Sequence, residues 1–432
     1  MNQENDQSQL LTPEVQAYYD DKKLFHRNAF WLLFGNFAMG LGLGVCMLIP
    51  LHMDRVGMNA TQISLGFSIN GWLIAFLMIY ISYRSDNCQI RWGRRLPFLL
   101  LSILPVCLSL VLFPHTKTIL TCVLVFAIYR FFINFKEQTY PFLSYDIARK
   151  EYWGRSWALQ MAGGMFGAWL ANVGLMRLVS RWGEANVFYL AAAMLCLLTL
   201  TTVLFLKEPP IRVKNPPPFK ISNQLRIGFS DKRNWLLFIG FGFCGVATMP
   251  TMQFAVLQAK KNIMLNEAQI GMAMSWAAIA AMLMTFPAGL LTDKLGAIRT
   301  TIIGFSMIVA ASFFGYNAHT SFQLSIAMVL LVSGGILTYN ATLVFLVHGI
   351  PRAIIASFSA CNGMFCAFFA ATMQLVCGCL IDYSGGNYSL AFPFGAILGG
   401  GGIIMLIIVG YLRNKSAETE LASLNPEFAK TQ

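Results

Sequence analysis

Stretches of about 20 mostly apolar residues recur along this chain from Ala29 to Leu412, each bounded by a short stretch rich in charge or turn residues. A helix of that length crosses the hydrocarbon core of a bilayer. The pattern therefore predicts spans near 29–51, 61–83, 97–114, 118–145, 157–179, 187–206, 234–256, 268–291, 300–317, 321–346, 354–380 and 389–412. The expected fold is an all-α membrane protein of about twelve transmembrane helices. Residues 1–28 are polar, with Glu4, Asp6, Glu14, Asp20 and Asp21, and lack the basic-then-apolar order of a secretory signal. They are expected to remain as an N-terminal tail. Residues 207–233 form a polar linker in which Pro216, Pro217 and Pro218 block helix. The linker separates two six-helix halves, 29–206 and 234–412, and 413–432 form a second tail.

Composition agrees with this pattern. Hydrophobic residues make up 56% and charged residues 12%, with a mean hydropathy of +0.60, which excludes a water-soluble globule. The net charge of +12 is explained by topology. With a cytoplasmic N-terminus, the inward-facing segments hold most of the 31 basic residues, and the linker alone carries Lys207, Arg212, Lys214, Lys220, Arg226, Lys232 and Arg233. The positive-inside rule then places both termini in the cytoplasm and the chain in a cell membrane, inner or plasma, in contact with lipid. No basic stripe with interleaved aromatics suggests nucleic acid. The 10 cysteines are mostly isolated within apolar runs, and Cys377 and Cys379 point apart on a helix, so neither a disulfide framework nor a metal site is expected. The histidines lack metal-ligand spacing and no nucleophile elbow is present, so the chain does not read as an enzyme.

Two cytoplasmic loops resemble one another. Ser85-Asp86 and Gly93-Arg94-Arg95 follow the second span, while Gly289, Asp293, Lys294, Gly296 and Arg299 follow the eighth. Asp86 and Asp293 lie 207 positions apart (293 − 86), close to half the chain. A carboxylate at a helix end that holds arginines and neighbouring helix termini makes a latch that a conformational change can release. Arg91, Arg94 and Arg95 are the expected partners of Asp86, and Arg299 of Asp293; the alternative is that these residues only fix topology.

The fourth span is the richest in chemistry. Arg130, Asn134 and Glu137 are spaced by four and three residues and share a helix face, with Lys136 about 100° round from Glu137. Charge within a bilayer is costly unless it faces water or a partner, so this face is expected to point inward. Glu137 is the one carboxylate well inside an apolar span, which makes it either the proton-coupling group or half of a permanent ion pair with Arg130 or Lys136.

The paired loops and the six-plus-six layout resemble the major facilitator superfamily. The longer Ser-Asp … Gly-Arg-Arg-x-Pro-Phe form, Ser85-Asp86 to Pro97-Phe98, is similar to the glycoside-pentoside-hexuronide cation symporters and the sucrose transporters. So is Tyr140-Pro141-Phe142-Leu143-Ser144-Tyr145-Asp146 with Arg149, Gly154 and Arg155. That resemblance implies the major facilitator fold in two pseudo-symmetric halves, and adds Asp146 and Arg155 to the cytoplasmic gate. It further implies that the first span of each three-helix unit lines a central cavity. Asn36, Asn134, Tyr339 and Asn340, with Trp72 and Trp276, are then the candidates for an uncharged polar substrate.

The expected function is secondary active transport of a small polar solute, a sugar or glycoside, by alternating access. The proton is the candidate coupling ion. Sodium is disfavoured, because Ser68-Ile-Asn70-Gly-Trp72 of the second span holds no acid. No other cofactor is expected, and the protein is expected to be a monomer. The alternatives are an exporter of amphipathic compounds, suggested by the 22 methionines and 35 phenylalanines, and a membrane-embedded enzyme or lipid flippase.

Overall fold

The structure, a computed structural model, describes residues 13–88, 90, 93–148, 153–209, 229, 232–349 and 355–424. After a short helix, Pro13–Asp20, the first span runs Lys22–Val45 and Leu48–Arg55, the second Ala60–Asn87, the third Leu96–Leu112 and the fourth Ile119–Asp146. The fifth runs Trp153–Leu170 and Met176–Trp182 across a π-helical turn, and the sixth Glu184–Phe205. The seventh runs Lys232–Val246 and Met249–Lys261, the eighth Glu267–Leu295, the ninth Ala297–Tyr316 and the tenth Ser321–Gly349. The eleventh is Ile355–Tyr383 and the twelfth Ala391–Leu424. Ten of these are long and apolar enough to cross a membrane; the fifth and seventh are built from shorter consecutive helices. With an even number of spans, both described ends of the chain lie at one end of the bundle, called here the terminal end.

Two differences from the sequence expectation matter. The polar tail holds a helix, Pro13–Asp20, and the first span starts at Lys22 because Asp21 accepts a capping bond from the Leu24 amide at 3.0 Å. The first and seventh spans, expected to be continuous, are each broken toward the end opposite the termini. Pro50 has no N–H for the Cys46 carbonyl four residues back, and that carbonyl accepts instead from Ile49 at 3.3 Å. Pro250 stands in the same relation to the break after Val246.

These breaks belong to an internal repeat. Trp31-Leu32-Leu33-Phe34 recurs as Trp235-Leu236-Leu237-Phe238, followed in both halves by closely spaced glycines and then by Pro50 or Pro250. The second and eighth spans repeat in strict register. Each opens with a capping box, Asn59 with Gln62 and Asn266 with Gln269, and the caps lie 207 positions apart (266 − 59), the same offset as Asp86 and Asp293.

Small residues set how closely the spans pack. A Cβ on Gly40 would sit 1.8 Å from the Gly164 carbonyl, so the first and fifth spans cross backbone to backbone. The same device joins the halves, where the second span runs beside the eleventh. A Cβ on Gly378 would lie 2.0 Å from Ser64 Oγ, and Ser68 Oγ donates to the Ala371 carbonyl at 2.6 Å. One further turn toward the terminal end, Trp72 Nε1 donates to Thr372 Oγ1 at 3.1 Å. Among the described residues the seam thus runs from the end opposite the termini to about the middle of the second span.

Candidate functional site

At the terminal end, the chain leaves the second span and turns into the third at Gly93, whose φ of +113° is open to glycine and strained for other residues. This turn aims three successive backbone amides at one carboxylate, Glu208, just beyond the sixth span. Arg94 N donates to Glu208 Oε2 at 2.8 Å, Arg95 N to Oε1 at 2.9 Å and Leu96 N to Oε1 at 2.6 Å. A carboxylate over the N-terminus of a helix satisfies donors that the helix leaves free and meets the positive end of its dipole. Burial pushes the Glu208 carboxyl up from its ordinary range, against the pull of those amides. A Cβ at Gly93 would fall 2.6 Å from the Glu208 carboxyl carbon, so the position has no room for another residue.

The side chains of the same two arginines turn to the end of the fourth span. Arg94 Nη2 meets Asp146 Oδ1 at 2.7 Å, and Arg95 Nε bonds Asp146 Oδ2. Arg95 is 5% exposed, which makes this a shielded pair of charge-assisted bonds. The short N-terminal helix closes over the cluster. Tyr19 OH donates to the Asp146 carbonyl at 2.9 Å, Tyr18 OH to the Lys207 carbonyl at 2.7 Å, and Asn28 Nδ2 to that same carbonyl at 2.8 Å. The first, third, fourth and sixth spans therefore converge on one charged knot. Of the gate residues expected from sequence, Gly93, Arg94, Arg95 and Asp146 are brought together here. Arg91 and the side chains of Asp86 and Arg155 lie outside the described residues.

The second loop is built differently. Gly296 ends the eighth span with φ +81°, but Asp293 and Arg299 are exposed and have no ion pair among the described residues, and Gly289 lies in the helix ahead of them. The echo seen in sequence is preserved as a helix end, without an assembled charge cluster.

Within the bundle, the fourth span holds Arg130 half-buried and Asn134 buried, and Asn134 Nδ2 donates to the Arg130 carbonyl. Lys136 is fully buried, and its Nζ donates to Thr199 Oγ1 of the sixth span at 2.8 Å. It faces the interior of its own half. The side chain of Glu137 lies outside the described residues. Asn36 Nδ2 donates to Gln160 Oε1 at 2.8 Å and so ties the first span to the fifth. Trp72 sits on the seam between halves. On the tenth span Tyr339 is 60% exposed, beside half-buried Asn340. Trp276 of the eighth span is 50% exposed and shares a helix stripe with exposed Leu283 and Leu290. Asn134 thus lies with Arg130 on span four, and Tyr339 and Asn340 are neighbours on span ten.

Three residues escaped the sequence reading. Glu208 looked like part of the polar linker. Gln160 and Thr199 looked like ordinary polar residues in apolar helices, and only their partners across the bundle give them roles.

A family model described as Major Facilitator Superfamily matches residues 32–352. No curated protein matches the chain in sequence. Among solved structures, a mutant of the nucleoside transporter NupG is similar, with 16% identity and a TM-score of 0.73, covering 88% of this chain and 99% of that one. A bacterial homologue of the human lysosomal transporter Spinster, inward-facing and unoccupied, is similar at 11% identity and a TM-score of 0.63, over 92% of this chain and 96% of that one. A bacterial homologue of the iron transporter ferroportin, outward-facing, is similar at 12% identity and a TM-score of 0.62, over 89% and 100%. Such distant likenesses speak for the fold; together with the family match over most of its length, they show that this chain belongs to the major facilitator superfamily of membrane transporters and is not an enzyme.

Proposed function

We propose that this transporter is a secondary carrier that moves a small polar solute, a sugar or a glycoside, by alternating access. One observation carries the reading: the first and seventh spans are broken at corresponding positions of two repeats that are sealed together along one end. Discontinuous helices at a repeat interface are where such carriers place their substrate, and a seam that among the described residues keeps to one end leaves the other free to open. The side chains on spans four and ten supply the solute chemistry. Asn134, Tyr339 and Asn340 offer neutral donors and acceptors with an aromatic face, and Arg130 adds a fixed cation. A nucleoside, the class named for one structural neighbour, is itself an N-glycoside and falls within the same chemistry.

In this reading the terminal end faces the cytoplasm of a cell-membrane protein, as the distribution of basic residues favours. The Arg94, Arg95, Asp146 and Glu208 knot is then the inner latch, with Asp86, Arg91 and Arg155 as its remaining members. The proton is the coupling ion and Glu137 its site, since the Ser68 to Trp72 stretch of the second span offers no acid. The direct test is thermal unfolding of the purified protein against a panel of sugars, glycosides, nucleosides and hydrophobic cations. Stabilisation by a glycoside is expected. Stabilisation by hydrophobic cations alone would replace this reading with an exporter of amphipathic compounds.

A further inference from the structure

An open groove of about 310 Å³ lies at the terminal end between the seventh, ninth and twelfth spans. Its floor is buried Phe241, Thr301 and Leu406, and its rim is Ile298, Ile302 and Ile407, which are 40–47% exposed. Thr301 Oγ1 donates to the Ala297 carbonyl at 2.9 Å, so even this hydroxyl turns to its own helix and the groove presents an apolar surface. The ninth span packs on the eighth, tenth and twelfth, and the twelfth on the seventh, ninth and eleventh, all of one half. The groove therefore opens away from the boundary between halves, toward the bilayer. Lys294 and Arg299 stand exposed at its terminal end, without an ion pair among the described residues, and exposed Asp293 beside Lys294 offsets one of these two cations. Arg299 lies one turn ahead of Ile302, and helical side chains lean toward the helix N-terminus, so its guanidinium reaches toward the membrane surface above the groove.

The two halves differ at this place. The ninth span begins as the third does, at a glycine of positive φ, Gly296 at +81° against Gly93 at +113°. In the first half the sixth span ends at Phe205, and the chain returns Glu208 to the third span's leading amides. The twelfth span instead continues as helix to Leu424, and Lys415 stands 207 positions beyond Glu208 (415 − 208), the offset of the repeat. Arg413-Asn414-Lys415 is basic where the first half has its acid. Gly296, in the cap position, has no side chain to bond the ninth span's leading amides.

We infer that this groove is the seat of one anionic phospholipid from the leaflet at the terminal end, with part of an acyl chain between the three spans and the phosphate on Lys294 and Arg299. The headgroup then meets the start of the ninth span as Glu208 meets the start of the third. A soluble anion would find the cations and leave the groove empty. A neutral lipid would fill the groove and leave the cations without a partner. Because the bilayer is as apolar as the groove, the tail contributes fit, and the charge of the head supplies the preference. Each cation at the membrane surface is worth about a fivefold preference for an acidic lipid. The second loop thus keeps the glycine and the cations of the repeat for a partner outside the chain, which is why no charge cluster assembles there.

The test uses the full-length protein, stripped of lipid in an uncharged detergent and titrated with dioleoylphosphatidylglycerol or dioleoylphosphatidylcholine. Native mass spectrometry counts the bound lipids, and thermal unfolding reads their effect. The parent is expected to bind phosphatidylglycerol at least about fivefold more tightly than phosphatidylcholine. Lys294→Gln with Arg299→Gln should remove most of that preference, while Lys220→Gln with Arg226→Gln, in the linker, should leave it unchanged. Ala297→Phe, which fills the groove, should weaken both lipids. Equal binding of the two lipids by the parent overturns the site without recourse to any variant. A preference that survives in the Lys294 and Arg299 double variant, or undiminished phosphatidylglycerol binding in Ala297→Phe, overturns it as well. Inorganic phosphate that stabilises the parent as much as phosphatidylglycerol does would make this an anion site and overturn the lipid. None of these measurements involves transport, so the carrier reading stands or falls separately.

Discussion

At the scale of single residues, the inner knot depends on one carboxylate that receives backbone amides and another that receives side chains. Glu208→Ala leaves the amides of Arg94, Arg95 and Leu96 without their acceptor. It should lower stability by about 1–3 kcal/mol, the cost of stranding a buried donor, and Glu208→Gln, which keeps a carbonyl there, should lose less. Thermal unfolding in detergent separates the two variants, and equal losses would mean that the charge of Glu208 matters more than its hydrogen bonds. Asp146→Asn removes the charge that Arg94 and Arg95 share, at about 1.5–3 kcal/mol. Lys136 should behave in the opposite way. Among the described residues its fully buried ammonium meets one hydroxyl, and Thr199 can turn to its own helix, so Lys136→Met should match or exceed the parent in thermal stability. A loss of several degrees would show that Lys136 is held charged by a partner. Glu137→Gln should abolish solute accumulation driven by a pH gradient while leaving exchange intact; accumulation at the parent level would remove Glu137 as the coupling site. Gly93, Arg94 and Arg95 of the knot were legible in the repeated loop motif, and Asp146 in the Tyr140 to Asp146 stretch that carries the family resemblance. Glu208 was not, because a lone Glu beside Pro209 and Pro210 reads as linker until the fold carries it back over the third span.

At the scale of elements, the spans were legible because their lengths follow from bilayer thickness, a constraint that acts on each stretch by itself. The breaks were not. A proline within an apolar run leaves helix and break equally open, and Pro105 and Pro287 lie inside unbroken helices. What distinguishes Pro50 and Pro250 is their recurrence after Trp-Leu-Leu-Phe and the glycines, a signal visible only when the halves are aligned with each other. If the breaks are hinges, Pro50→Ala and Pro250→Ala each restore an N–H and stiffen a span. The expected outcome is equal or higher thermal stability, by about 1 kcal/mol per restored bond, with slower transport. Parent-like rates in both variants would reduce the breaks to packing accommodations.

At the scale of the whole molecule, the two-half architecture was legible from one loop repeat, and the capping boxes of the second and eighth spans repeat at the same offset. How the halves meet could not be read, since Ser64 with Gly378 and Asp382 with the start of the second span are more than 300 positions apart in sequence. Orientation has its own test: an impermeant maleimide applied to intact cells should label Lys260→Cys and spare Lys214→Cys, and the reverse would turn the molecule over. The central claim, that this chain is a secondary carrier of a small polar solute, is tested most directly by counterflow. Proteoliposomes are loaded with the unlabelled glycoside or nucleoside that most stabilises the protein, diluted into a trace of the same solute in labelled form, and followed without ATP. The account predicts transient accumulation of label above its outside concentration, driven only by the outward gradient of unlabelled solute. Uptake no faster than into protein-free liposomes, for every stabilising solute, would contradict it.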